Sequence, residues 1–440
     1  MTRVQLVLST VVLSIAALTA QAPIQQMPGV GPNPALPQPK PDQNAKNFVK
    51  VTGWPKDATP KVPEGFTVTR FADALQHPRW LYRLPNGDVL VAEAATKPKP
   101  PKKPEDGEKN ALMKKSRSIT ESADRIMLLR DANADGIVEQ KSIFLQNLNQ
   151  PFGMVLVNGT LYVANTDSVM AFPYQEGEVS IQTPGKKMVT LPAGGYNNHW
   201  TRNITSNKDG SKLYISVGSA SNIAEHGMKE EEHRAAILEC NLDGSGLRVF
   251  ASGLRNPNGM DWHPDTGALW TVVNERDGLG DDLPPDYLVR VEDGAFYGWP
   301  YSYWGKHVDT RVTPPRPDLV AKARVPDYAL GAHTAALGLA FYADGPFPAR
   351  YHSGAFIGQH GSWNRTRLSG YQVLFVPFKK GQPAGDPEAF VTGFVPAEQQ
   401  STAYGRPVGV IVDKAGALLV ADDAGNVVWR VSSGNTGTGE

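Results

Sequence analysis

Six copies of one pattern run along this chain, and this self-similarity limits its fold more than any other feature. The unit reads as an apolar strand and a turn, a short polar segment, a second strand, a turn of the Asp-Gly or Asn-Gly kind, a third strand with alternating apolar residues, and a polar loop leading to a fourth strand. Its clearest copy starts at Arg248-Val249-Phe250 and continues through Gly253 to Trp262. It turns at Asp265-Thr266-Gly267 into Ala268–Val273 and closes with Asp286–Val291. Other copies occupy residues 143–174, 187–242, 338–376 and 389–431. A first copy runs from Arg79-Trp80-Leu81 through Asn86-Gly87 and Val89-Leu90-Val91 to Arg125–Leu129.

Four-stranded units repeated in this way specify an all-β chain, a six-bladed β-propeller over residues 60–432. A β-sandwich is the alternative, and the even repeat disfavours it. The last copy stops at its third strand, Val427–Val431. The orphan strand Phe66–Phe71 is expected to supply the fourth, closing the ring and removing an open edge. The 43 glycines and 36 prolines, with no Gly-X-Y period, fit many turns between short strands.

Charge is balanced at 44 basic and 44 acidic residues with no basic stripe, which argues against a nucleic-acid partner. Residues 1–22 read as a secretory signal: Arg3, an apolar run over 4–19, and Ala20-Gln21-Ala22 as a small-x-small cleavage site. A retained membrane anchor is the other reading of that run. No later segment is apolar enough to cross a membrane, so the cleaved chain is expected to be periplasmic or secreted. Residues 23–59 form a Pro/Gln-rich linker, with 23–47 expected to be a disordered tether, and 433–440 a disordered tail. The single cysteine, Cys240, excludes an internal disulfide, a multi-cysteine metal site and a C-x-x-C-H haem attachment. It alternates with apolar residues and is expected in the core.

In a four-stranded blade, the loop entering the inner strand and the loop leaving the second strand open on the same face. Before the inner strands stand Arg79, Gln150, His199, Arg255, Asn256 and Arg406. After the second strands stand Glu93, Asn165, Ser219, Asn274, Glu275, Arg276, His360, Asn364, Arg365, Asp422 and Asp423. Polar convergence on a rigid scaffold suits a binding site; a water-filled channel is the plain alternative.

His199 is a candidate general base, since a neutral imidazole accepts a hydroxyl proton near neutral pH; a structural histidine is the other reading. Arg255 suits a carboxylate or a developing oxyanion, or else lies between blades bonded to backbone carbonyls. The acid-rich segment 274–287, with two glycines, is a candidate to wrap a hard cation. Asp131, Asn133, Asp135 and Glu139 place oxygens at alternate positions around Gly136, the first half of a calcium loop, or a polar turn. Residues 97–123, rich in Lys and Pro, read as a mobile insertion beside the site. A second insertion near 300–335 brings Trp299, Tyr301, Tyr303, Trp304 and His307, suited to sugar stacking or to packing the insertion down.

Residues 60–432 resemble the soluble pyrroloquinoline quinone-dependent sugar dehydrogenases, most closely the L-sorbosone or aldose dehydrogenase branch. The resemblance rests on Asn197-Asn198-His199-Trp200-Thr201-Arg202-Asn203, Gly253-Leu254-Arg255-Asn256-Pro257, the stretch Asn274–Tyr287, Tyr297-Gly298-Trp299-Pro300 and Gln359–Arg365. It implies oxidation of an aldose sugar or sugar aldehyde. His199 would take the proton of the anomeric hydroxyl while hydride passes from that carbon to the quinone. Arg255 and Asn256 would hold the quinone oxygens. A Ca2+ beside the cofactor would be bound by backbone carbonyls around Arg276 and Asp277. Arg365 and Arg406 would pair with cofactor carboxylates, and Gln150 falls near a cofactor-side glutamine. With no haem motif in the chain, electrons would leave to a separate acceptor such as a cytochrome or quinone. In the glucose-oxidising branch the residue before the base is acidic, whereas here it is Asn198. Two other functions compete: a calcium-dependent lactone hydrolase on the same fold, and a non-catalytic propeller that binds glycan or protein.

Overall fold

The computed structural model describes residues 29–43, 45–101, 103–396 and 401–434. Six sheets of antiparallel strands form the blades of a propeller. Blade 1 is Pro78–Arg83, Val89–Glu93, Arg125–Arg130 and Gln140–Leu145. Blade 2 is Met154–Val157, Thr160–Ala164, Ser168–Pro173 and Lys186–Thr190. Blade 3 is Arg202–Ser206, Lys212–Val217, Ala236–Asn241 and Arg248–Ser252. Blade 4 is Pro257–Trp262, Leu269–Val273, Pro285–Arg290 and Tyr328–Ala332. Blade 5 is Ala340–Tyr342, Gly354–Gln359, Gln372–Val376 and Glu388–Val391. Blade 6 is Pro407–Val412, Leu418–Asp422, Val427–Ser433 and, from the other end of the chain, Phe66–Ala72.

That last pairing runs from Phe66 opposite Ser433 to Ala72 opposite Val428, so the ring closes as the repeat predicts. Each inner strand lies against those of its neighbours, and blade 6 meets blade 1. The sequence unit is offset from the blade by one strand. Arg248–Ser252, which opens the clearest sequence copy, is the outer strand of blade 3. Sequence similarity marks the recurring segment but carries no record of which strands share hydrogen bonds.

The middle strands are apolar at nearly every position because both faces are covered. In blade 1, Val89 and Val91 face a cluster shared with blade 6, while Leu90 and Ala92 face one shared with blade 2. Six such clusters fill the six clefts between blades. Cys240 lies in the cluster between blades 2 and 3, and burial pushes its thiol up to about 11. At the axis the inner strands approach so closely that a Cβ on Gly409 would stand 2.8 Å from the carbonyl oxygen of Arg79. Only glycine tolerates that backbone contact.

Three segments differ from expectation. The described part of the linker is ordered. Val30–Gly31 adds a fifth strand to blade 4 through Leu330 and Ala329. Phe48 stacks on Trp363 at 5.1 Å, and Val49 and Val51 enter the core between blades 5 and 6. Lys50–Val51 pairs in parallel with Thr402–Ala403. Its prolines and glutamines predict disorder in isolation; the apolar Phe48-Val49-Lys50-Val51 segment at its end anchors it instead. The insertion at 97–123 folds into the helix Pro104–Lys115 and is tied down by Arg117 Nη1 donating to the Ala424 carbonyl at 2.6 Å. Trp299, Tyr301, Tyr303 and Trp304 are all buried, so they pack the second insertion down rather than line an open sugar site. Ser433, placed in the tail by sequence, ends a strand of blade 6. The signal at 1–22 and residues 435–440 lie outside the described residues. Among the described residues no helix is long and apolar enough to cross a membrane.

Candidate functional site

Because the strands alternate in direction, the loops before the inner strands and after the second strands share one end of the axis. His199 precedes the inner strand of blade 3, and Ser219 follows the second strand of the same blade. His199 Nδ1 lies 2.8 Å from the Ser219 carbonyl oxygen and 3.0 Å from Ser219 Oγ. The Ser219 hydroxyl donates to the Ser221 carbonyl at 2.6 Å, so both groups facing Nδ1 are acceptors. Nδ1 therefore carries the proton, and Nε2 keeps its lone pair. Burial, followed by the Arg255 guanidinium, holds His199 well below the usual imidazole range. The half-buried imidazole is neutral at pH 7.

The orienting loop is itself fixed. Ala220 N and Ser221 N donate to Glu231 at 2.7 and 3.1 Å, and Ser219 N donates to the Arg255 carbonyl at 2.8 Å. Beneath His199, fully buried Arg202 donates to the carbonyls of His199, Thr201 and Pro192 and to Asn197 Oδ1. Arg234 donates to the same Asn197 oxygen at 2.9 Å. Burial, with the neighbouring Arg234, pushes Arg202 down to about 9. Three guanidinium groups thus surround the base. The Asn197–Asn203 motif is in large part the frame that holds this positive charge.

Arg255 is buried and donates to Asn222 Oδ1 at 2.8 Å, with longer contacts of 3.3 and 3.5 Å to the carbonyls of Asn274 and Asn222. Its Nη2 stands 3.7 Å from an Asp277 carboxylate oxygen. Arg255 thus touches backbone carbonyls, and its charge also acts on His199. Asn256 Oδ1 is buried beside His199 without a partner.

Arg276 turns its side chain away from the axis. It is fully buried and donates to Glu275, to Asp309 and to the carbonyls of Pro300 and Ser302. The Asp277 carbonyl accepts from Asn222 Nδ2 at 3.1 Å and from Arg311 Nη1 at 3.0 Å. Both lone pairs of that oxygen are used. A divalent cation at this carbonyl does not fit the residues present. The Asp277 side chain accepts from Asn364 Nδ2 at 2.7 Å. Asp277, Asn222, Arg311, His333, Trp363 and, from the N-terminal strap, Lys46 line a cavity of about 220 Å³. A larger cavity, about 780 Å³, lies between blades 1 and 2, lined by Asn165 and Asp167, and Asn197 of the His199 frame donates to the intervening Thr166 Oγ1 at 2.9 Å.

A second polar cluster gathers blades 5, 6 and 1. Asp423 accepts from Arg79 Nη1 at 2.6 Å and His360 Nε2 at 2.9 Å, and His77 Nε2 stands 3.2 Å from the same carboxylate. Burial opposes ionisation of Asp423, but His360, His77 and Arg79 outweigh it and hold the carboxyl well below the usual range. Arg406 donates to the carbonyls of His360 and Gly361 and to Ser118 Oγ. Trp200, beside His199, joins the two clusters. Arg79 lies over its ring at 5.5 Å, and its indole N–H donates to Thr96 Oγ1 at 2.8 Å.

The other expected cofactor residues separate. Arg365 is paired with Asp282 and the Asp281 carbonyl. Gln150 donates to the Ala95 carbonyl at 2.8 Å. With Arg406 also committed, the expected carboxylate clamp is not assembled. A planar anionic quinone would find at this edge a proton acceptor in His199 Nε2 and a positive charge in the Arg255 guanidinium; the unpartnered Asn256 amide oxygen beside them can only accept a hydrogen bond.

Asp131, Asp135 and Glu139 offer carboxylate oxygens within 4.8 Å of one another, in the loop joining the third and fourth strands of blade 1. That connection opens on the face opposite His199. Asn133 Oδ1 accepts from Asp135 N at 2.9 Å within the same loop.

Sequence reasoning missed Asn222, His333, Arg311, Lys46 and Trp363. His333 stands in the loop entering blade 5 and was visible to the rule that found His199. Lys46 and Arg311 come from segments read as tether and insertion, where no repeat marks position.

A family model described as TrAA12-like matches residues 60–284 and 319–434. A Borreliella burgdorferi protein described as uncharacterized is 30% identical over 336 residues, 73% of this chain and 87% of its own length. The aldose sugar dehydrogenase YliI of Escherichia coli (strain K12) is 30% identical over 116 residues, 26% of this chain and 29% of its own. The holo form of the pyranose dehydrogenase PQQ domain from Coprinopsis cinerea shares the fold, with a TM-score of 0.68 at 20% identity, covering 88% of this chain and 100% of that one.

Proposed function

This chain belongs to the TrAA12-like family, and from that premise we propose that it oxidises an aldose sugar or sugar aldehyde with pyrroloquinoline quinone. The observation that carries the reading is the fixed tautomer of His199, with Nε2 unprotonated beside the Arg255 guanidinium. The pyranose and aldose sugar dehydrogenases it is similar to support it.

When bound, pyrroloquinoline quinone supplies a two-electron acceptor for the hydride of the sugar's anomeric carbon. His199 Nε2 accepts the proton of the anomeric hydroxyl, which frees the oxygen's electron pair to form the carbonyl of the product. The Ser219 carbonyl receives Nδ1–H and is placed to stabilise the imidazolium that forms. Arg255 and the amide nitrogen of Asn256 would hold the quinone oxygens, and the Arg255 charge would offset negative charge there. The Asp277 carbonyl, with both lone pairs taken, is not a calcium ligand in this reading. Calcium is assigned instead to the loop of Asp131, Asn133, Asp135 and Glu139, as a structural ion. The chain is exported, and electrons leave to a separate acceptor.

The test is reconstitution with pyrroloquinoline quinone and a panel of aldoses and sugar aldehydes, read as reduction of an artificial dye. Turnover that falls about 10²–10⁴-fold in His199→Gln supports the reading. No dye reduction with any sugar, or lactone hydrolysis without the quinone, overturns it.

A further inference from the structure

Arg311 comes from the far side of blade 4. The chain leaves the third strand of that blade at Arg290 and climbs beside the outer strand of blade 3. Tyr297 N donates to the Ser252 carbonyl at 2.9 Å and Trp299 N to the Gly253 carbonyl at 3.0 Å. This delivers Asp309 and Arg311 to the face that carries His199. There Arg311 Nη1 donates to two successive carbonyls, Asp277 at 3.0 Å and Gly278 at 2.8 Å.

The guanidinium is gripped from behind. Nε donates to Asp309 Oδ1 at 2.8 Å and Nη2 to Asp309 Oδ2 at 2.7 Å, a bidentate pair. Asp309 is buried and also receives Arg276 Nη1 at 3.2 Å. Burial would raise its carboxyl, but Arg311 and Arg276 hold it below the usual range. Two adjacent backbone carbonyls aimed at one point, beside the Asp277 carboxylate, are the oxygen set that a hard cation takes. Here a fixed monovalent cation already satisfies them. A second cation in the same place would meet like charge, and at the Asp277 carbonyl an oxygen whose two lone pairs are already taken.

We infer that Arg311 replaces a divalent cation at the Asp277 and Gly278 carbonyls, so that this site carries a built-in positive charge and needs no metal. Asp309 and Arg311 both lie between the two family-matched segments, 60–284 and 319–434. The device belongs to this chain's insertion and not to the matched family pattern. Its consequence for the cofactor rests on the function proposed above: the anionic quinone binds equally with and without calcium. Occupation of the carbonyls by Arg311 does not depend on that function.

Terbium luminescence tests the carbonyls directly, since Trp363 lines the same cavity and Trp299 Nε1 bonds the Asn222 carbonyl at 3.0 Å. The full chain carrying Asp131→Asn and Asp135→Asn, which silences the far loop, is titrated with Tb3+. With Arg311 intact no saturable, tryptophan-sensitised signal is expected. Arg311→Gln on the same background gains one that calcium competes away, and Arg311→Lys, which keeps the charge, does not. A saturable signal with Arg311 intact overturns the inference, as does a folded Arg311→Gln protein that gains none. Should Arg311→Gln fail to fold, the intact protein and Arg311→Lys decide alone. A fluorescence titration with pyrroloquinoline quinone, in chelator and in calcium, is expected to give the same Kd within about twofold. Tenfold tighter binding in calcium overturns the inference. Absence of quinone binding in both media removes the proposed cofactor, while the terbium titration still judges Arg311.

Discussion

His199 Nδ1 and the Ser219 carbonyl oxygen lie 2.8 Å apart, and that bond sets which imidazole nitrogen is free. No acid precedes the histidine here; Asn198 holds that place. A backbone carbonyl orients the ring instead. Gly218 leaves the room: a Cβ there would stand 2.6 Å from His199 Cβ and would also strike Asn256 Oδ1. Gly218→Ala should displace the imidazole and lower kcat by at least tenfold with the propeller intact by circular dichroism. Unchanged kcat in a folded variant would show that the placement of His199 is not critical.

The acidity of His199 predicts a pH profile. Its pKa lies well below the ordinary value of about 6.5 because of burial and then Arg255. The acid limb of kcat/KM should therefore lie below pH 6.5, with a flat region above it. Removing one positive neighbour in Arg255→Gln should move that limb upward as the rate falls. A wild-type limb at or above 6.5 contradicts the neutral, desolvated base.

His360 and His77, buried around Asp423, govern acid stability. Burial, with Arg406 adding, pushes His360 down to about 3, and burial pushes His77 down to about 4. Both values are depressed relative to the unfolded chain. Their contribution is whole above pH 6.5 and is lost as pH falls toward 4 and then 3, by up to about 1.4 kcal/mol per pH unit for each proton. Urea midpoints should fall steeply between pH 6.5 and 4. At pH 7.5, Asp423→Asn strands buried Arg79 and should cost ~3–5 kcal/mol. A loss under ~1 kcal/mol would show that the cluster relaxes around the change.

The N-terminal strap is a structural part of the ring. Phe48 stacks on Trp363, which walls the cavity beside Asp277. Phe48→Ala should destabilise the protein by ~3 kcal/mol. If the cavity takes part of the substrate, KM should rise more than kcat falls. Thermal melts and steady-state kinetics read the two effects separately.

The loop of Asp131, Asp135 and Glu139 predicts a calcium-dependent melt. At a hundredfold excess over Kd, a bound ion stabilises by about 2.7 kcal/mol. Asp131→Asn with Asp135→Asn should abolish the shift in Tm without changing kcat, since the loop opens on the face away from His199. A wild-type protein whose Tm ignores calcium has a polar turn there.

The sequence by itself determined the ring. Alternation and turn residues are local signals, and they repeat six times, so the blades, their order and the closing strand, expected at 66–71 and found at Phe66–Ala72, were legible. So were the positions of His199, Arg255 and Asn256, because the repeat phase places them at one end of the axis. The tertiary structure alone decided how the long side chains are spent. Arg365 reaches Asp282, Arg406 reaches the carbonyls of His360 and Gly361, and Gln150 reaches Ala95. It also decided that residues 46–51 are held against the ring and that Arg311 meets Asp277. A strand's face is set by its neighbours in sequence. A guanidinium on a flexible stem is set by whichever carbonyl or carboxylate the distant chain leaves unpaired, and no local pattern records that.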